Sequence, residues 1–311
     1  MDNFSSTNGA LKFPKANHYY VLILNPLVIL VCTCGIVANA LIILAHYRWR
    51  YLHRQSYTIL LLSIVDQQIC VQLLISGVVG LLQFHWTRGP CLIALTFSIF
   101  LHCANSKLTL LLGLERLAAI VVPKLFSRTH FRCCSLFASA LLSFIVALVV
   151  VVIGFGSVSW TKPKVLVLCS PPAALPQTAL MIWAIDLNVV NILGVTTYVA
   201  LYSANRHRQR LLPSHQARYV SQTVMIIITS FVITWVLASG AFAVLSYLNA
   251  DEILESHILS AMALPIAMNS SINALVYYAR SKDYRKCFRR IFRRKSTGPH
   301  QNRGAYEMVK L

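Results

Sequence analysis

Charge is what this chain has least of. Only 12% of its 311 residues are charged and only nine are acidic, against 57% that are hydrophobic. A soluble domain carries about a quarter charged residues, so a water-soluble globule is excluded and a polytopic membrane protein in one unit is expected. The chain also lacks ten-residue segments of strict alternation, which excludes a transmembrane barrel. Neither internal repeats nor helices broken at the midplane stand out, which weighs against a transporter or channel. Residues 1–19 are polar and are read as carrying no cleavable leader, the first apolar span acting as its own insertion signal.

What is present is seven apolar stretches, near residues 20–46, 57–84, 91–122, 133–158, 179–204, 219–248 and 256–279. Each reaches the roughly 20 residues a helix needs to cross a bilayer. The expected fold is an all-α seven-transmembrane helix bundle over 20–279. An outer segment, 1–19, precedes it, and an amphipathic membrane-surface helix, 280–294, and a tail, 295–311, follow. The net charge of +19 is lopsided. Arg48, Arg50, Arg54, Lys124, Arg128, Arg132, Arg206, Arg208, Arg210 and the dense run after Arg280 lie on one side; only Lys12, Lys15, Arg88, Lys162 and Lys164 lie on the other. The positive-inside rule puts the N-terminus outside the plasma membrane and the tail in the cytoplasm. Nucleic acid is excluded as a partner, because the bases follow a membrane face and not a groove.

Most of the nine cysteines sit in or beside spans and read as small apolar packing residues. Cys91 and Cys169 both fall on the outer side, where disulfides persist. They are either a bond pinning the fourth-to-fifth-span loop over the bundle or two free thiols. Asn3-Phe4-Ser5 is a glycosylation sequon on the outer face.

Several spans carry polar residues that lipid penalises by several kcal/mol each when unpaired. Asn39 is in span one and Asp66 in span two. Span three presents Ser98, His102, Asn105, Thr109, Leu112 and Arg116 at spacings of three and four, hence on one face. Span six has Phe231 and Trp235; span seven has Asn269, Ser270, Asn273 and Tyr277. Helix–helix glue accounts for any one of these, but less well for an acid, several amides and a Trp spread over five helices.

From about Gly35 to Phe292 the chain resembles the rhodopsin-like (class A) G-protein-coupled receptors. The matching residues are Asn39, Asp66, Cys91 with Cys169, Glu115-Arg116, Pro123, Tyr198, Phe231 with Trp235, and Asn273 with Tyr277. The resemblance implies no enzymatic activity. Its implied partners are an extracellular ligand of unknown class, a heterotrimeric G protein, membrane lipid and arrestin. Arg116, beside Glu115, would meet the G protein. Trp235 would be the rotamer switch under the ligand, and Tyr198 and Tyr277 would swing inward on activation. Asp66, Asn105, Asn269, Ser270 and Asn273 would form a sodium and water pocket, with sodium an allosteric ion at Asp66. The order of residues 278–286, with Cys169-Ser170-Pro171-Pro172, also looks like nematode serpentine chemoreceptors.

The departures from the class pattern are specific. Leu117 follows Glu115-Arg116 where Tyr is usual, Val190 stands for the span-five Pro, and Thr234 and Leu237 flank Trp235 in place of Cys and Pro. Ala274 replaces the Pro after Asn273. The usual causes of kinking are thereby lost from helices six and seven. Residues 214–222 contain no acid to latch Arg116, which leads to an expectation of ligand-free signalling. The alternatives are a receptor-like protein that no longer couples and, further off, a transporter.

Ser98 stands where amine receptors of this class have Asp, and span seven has no Lys for retinal, so a biogenic amine and light are set aside. The ligand pocket is expected at Ser98, His102, Asp186 and Trp235, with His102 and Asp186 hydrogen-bonded across it. Lys107, mid-span and off the polar face, is read as a contact with span four or five. After Tyr277, the residues Tyr284, Cys287, Phe288, Ile291 and Phe292 share one helical face and bases fill the other, as for a helix on an anionic leaflet. Cys287 is read either as a palmitoylation site or as a simply buried cysteine. The tail reads as disordered and offers arrestin only Ser296 and Thr297 as phosphosites.

Overall fold

A computed structural model describes residues 15–49, 57–82, 86–122, 129–158, 165–166, 169–211 and 252–293, with the single positions 230, 234 and 240. The Asn3 sequon, Pro123, Phe231, Trp235, Leu237 and the tail after residue 293 lie outside the described residues.

The apolar runs become long helices: α1 Lys15–Arg48, α2 Tyr57–Leu81, α3 Arg88–Val121, α4 Thr129–Gly156 and α5 Gln177–Leu211. Glu252–Arg280, the seventh apolar stretch, is α6, and Lys282–Arg293 is α7. Five of them, α1 to α5, are long and apolar enough to cross a membrane. At 1.5 Å per residue, the 34 residues of α3 span about 51 Å, more than the roughly 30 Å hydrocarbon core, so its ends reach the aqueous layers. Pro26 and Pro265 lie inside α1 and α6, and both helices continue through them.

α3 is the axis of the bundle. Of its most apolar window 72% is buried, against 17% for α4. α4 is therefore a peripheral helix, and its exposed stripe of Phe137, Leu141, Phe144, Leu148 and Val152 is the inverse of a soluble pattern. So large an apolar surface is stable only against lipid.

Small residues set the tightest crossing. A Cβ on Gly35 would overlap Ser271 Oγ and come within 2.7 Å of Cys70 Sγ, so α1, α2 and α6 meet at a point that only Gly leaves open. Ser271 Oγ lies 2.6 Å from the Ala267 carbonyl and 3.1 Å from the Val31 carbonyl, sharing its proton between its own helix and α1.

At the Arg88 end of α3, Trp86–Thr87 pairs antiparallel with Val165–Leu166. Cys91 and Cys169 are disulfide-bonded, with Cα atoms 5.7 Å apart across 78 residues. The helical turn Pro171–Ala174 follows the bond and buries Pro172 and Ala174. The loop is thereby fastened to the top of α3. At the opposite end, Tyr284, Cys287 and Phe288 of α7 pack with Ile42, Ala45, Ile59 and Leu62.

Candidate functional site

A carboxylate inside a bundle needs donors on both oxygens. Asp66, on α2 and fully buried, has them. Asn105 Nδ2 of α3 donates to Oδ1 at 2.5 Å, and Asn273 Nδ2 of α6 donates to Oδ2 at 2.6 Å. Asn39 Nδ2 of α1 donates to the Ser270 carbonyl at 2.8 Å, bringing the fourth helix into the network. Asn105 Oδ1 is buried without a hydrogen-bond partner among the described residues, and the buried Ser270 hydroxyl interacts with the Asp66 carboxylate. An orphaned amide oxygen and a hydroxyl beside a carboxylate suit a monovalent cation or a water. The residues thus fit the sodium ion that the class resemblance implies, which Asp66, Asn105 and Ser270 would hold.

Toward the end of α3 that carries Glu115 and Arg116 the network opens into a cavity of about 30 Å³, lined among others by Thr109, Leu112, Tyr198, Asn269, Asn273 and Tyr277. That is room for a water. Tyr198 donates to the Thr109 carbonyl at 3.1 Å. Thr234 Oγ1 lies 2.7 Å from the Ser230 carbonyl and 3.1 Å from Asn269 Oδ1, so the Thr that stands in for Cys beside Trp235 joins span six to α6.

Below the cavity, Glu115 accepts from Thr58 Oγ1 of α2 at 2.7 Å. Arg116 is exposed and makes no ion pair among the described residues. Residues 212–229, where a latch from span six would sit, lie outside them.

A comparison with known families fits this arrangement: the family model of the serpentine type 7TM GPCR chemoreceptor Srsx matches residues 32–292. The chain belongs to that chemoreceptor family. It is a multi-pass membrane protein of the seven-transmembrane G-protein-coupled receptor class. The serpentine likeness, carried in the sequence by two short stretches, is thus the more specific of the two resemblances.

The chemoreceptor departs from the sequence expectations at the ligand pocket. His102 and Asp186 do not pair. Asp186 Oδ2 of α5 is held at 2.7 Å by Lys107 Nζ of α3. His102, 5% exposed, instead meets Trp183 edge-on with ring centroids 6.1 Å apart. The reason is electrostatic: an ammonium and a carboxylate in a low-dielectric interior attract far more strongly than a neutral imidazole and a carboxylate. Lys107 contacts span five, one of the two readings its position allowed. Ser98 is buried nearer the disulfide end of the same helix. Neither Thr58 nor Trp183 was singled out, since neither type is unusual in a span; two opposite charges at mid-span were the available signal for Lys107 with Asp186.

At Cys287 the structure favours one of the two readings left open. The residue is 1% exposed, packed in the cluster joining α7 to α1 and α2. An acyl chain on that sulfur would have to displace helix packing, so the structure supports the buried reading and not palmitoylation. Tyr284 was seen only as part of an apolar face. Its hydroxyl lies 3.1 Å from His46 Nε2, and His46 Nδ1 lies 3.1 Å from the Ile42 carbonyl. A carbonyl only accepts, so Nδ1 carries a proton, and in the neutral ring Nε2 accepts from Tyr284. Tyr284 also stacks on Tyr277, centroids 5.2 Å apart.

Proposed function

We propose that this chemoreceptor sits in the plasma membrane with its N-terminus outside, senses an extracellular small molecule other than a biogenic amine, and activates heterotrimeric G proteins without enzymatic chemistry of its own. The observation that carries the reading is Arg116: an exposed guanidinium at the end of the buried axis helix, unpaired among the described residues. A charge at the end of such a helix suits a partner from the cytoplasm. Tyr198 and Tyr277, lining the cavity under Asp66, are then the side chains whose movement links the polar network to that end. Trp235 and the pocket around Ser98 and His102 belong to ligand sensing in the same reading. The bases of α7, among them the exposed Lys286, Arg289 and Arg290, support contact with anionic lipid.

Glu115 is engaged by Thr58, and no acid stands in residues 214–222, so Arg116 is weakly restrained and basal activity follows. The test is nucleotide exchange by purified G proteins of each main class on the ligand-free receptor. Exchange is expected above that of an Arg116→Ala receptor. Rates equal to that control in every class would identify a receptor-like protein that no longer couples.

A further inference from the structure

Lys107–Asp186 is the one ion pair among the described residues, and it lies in the membrane-embedded part of the bundle. Lys107 falls in a run, residues 101–109, in which every residue is buried, and its side chain is 4% exposed. Asp186, whose side chain is 16% exposed, stands on the flank of α5, between the buried Trp183, Leu187 and Val190 and the lipid-facing Ile185 and Val189. Stability alone does not explain the pair. Well-packed apolar residues commonly replace a buried ion pair without loss, whereas removing one partner strands a charge.

We propose that Lys107 is a built-in occupant of an ammonium site at Asp186, closing this flank of α5 to external cations and tying α3 to α5. Asp186 is a site of the kind that would recognise an alkylammonium. The chain fills it with its own four-carbon stem and –NH₃⁺. A cationic ligand has to displace Lys107 and leave a second ammonium buried, which the low dielectric forbids. An uncharged ligand meets no such barrier: Lys107 takes Oδ2 and the Cys103 side chain also bonds to Asp186, and of the carboxylate's roughly four lone-pair sites the rest can accept from a hydroxyl or amide. The molecules this site admits are therefore uncharged hydrogen-bond donors. That last step rests on the receptor reading above; the self-occupied site does not.

The test is chemical replacement of the side chain. Full-length receptor in detergent is melted, followed by tryptophan fluorescence, with n-butylammonium, methylammonium or n-butanol added. The parent is expected to show no stabilisation by n-butylammonium beyond that of n-butanol. Lys107→Ala is expected to melt about 10 °C lower, with n-butylammonium restoring most of the loss, methylammonium less and n-butanol none. Lys107→Ala combined with Asp186→Asn should not respond. Equal effects of butylammonium and butanol on Lys107→Ala, a response that survives Asp186→Asn, or a parent that responds as strongly as the variant would each overturn the proposal. Should Lys107→Ala yield no folded receptor, the exchanged pair Lys107→Asp with Asp186→Lys decides. Melting above both single variants supports the site, and melting no higher refutes it. No G protein enters the assay, so failed coupling leaves its outcome untouched, and failed rescue leaves the exchange result standing.

Discussion

Asp66 shows how a single side chain can bind a bundle together. Its two oxygens are taken by amides from two other helices, and a fourth helix is attached through the neighbouring Ser270 carbonyl. Because Asp66, Asn105 and Asn39 are themselves buried, removing one strands another. Asn39→Ala should lower stability by about 1 kcal/mol, in the range of interhelical hydrogen bonds in membranes, read as a shift in thermal midpoint. Gly35→Val should be far worse, since its side chain has to occupy the space of Ser271 Oγ and Cys70 Sγ; folded receptor recovered from membranes should fall several-fold. The sequence made the polar residues legible by their expense in lipid. It did not make their partners legible. The 3.6-residue period says which residues share a face, and Asn105 duly appears with Ser98 and Thr109, but it does not say which helix that face meets. Hence Asp186 was matched to His102 and not to Lys107, 79 residues away.

At the scale of elements, α7 is held less by lipid than its sequence suggests. An amphipathic pattern with bases on one side reads as a helix lying on a leaflet, yet Tyr284, Cys287 and Phe288 are spent on α1 and α2, and of the apolar set Phe292 remains well exposed. Sequence cannot separate these cases, because a protein surface and a lipid surface ask for the same apolar stripe. The His46–Tyr284 bond and the Tyr277–Tyr284 stack hold the start of α7 against α1 and the end of α6. Tyr284→Ala should therefore raise amide hydrogen exchange across residues 282–293 by about tenfold, the effect of losing ~1.4 kcal/mol of local stability, with exchange in α3 unchanged. Equal protection in both receptors would mean that lipid, and not His46, retains the helix.

The whole molecule is an axis with a fastened top. α3 carries a polar face, the Asp66 partner and Arg116 on one column, and the disulfide ties its Arg88 end to the segment that holds the strand Val165–Leu166 and the turn at Pro171–Ala174. Replacing Cys91 and Cys169 by Ser should cost about 2–5 kcal/mol, seen as a lower melting temperature that reductant no longer changes. A receptor whose melting is insensitive to both would show that the loop is held by its packing alone.

The column that makes α3 the axis also makes it awkward to assemble. Its most apolar window has a mean hydropathy of 1.4, the lowest of the five membrane-length helices. Its Lys107 has no partner until Asp186 is synthesised, 79 residues later. At translation speeds of about 5–20 residues per second that is a wait of roughly 4–16 s with an ammonium at membrane depth. During that interval α3 is a poor tenant of the bilayer, with a central lysine opposing insertion by about 3 kcal/mol. Stable lodging of α3 in the bilayer therefore waits on the arrival of α5.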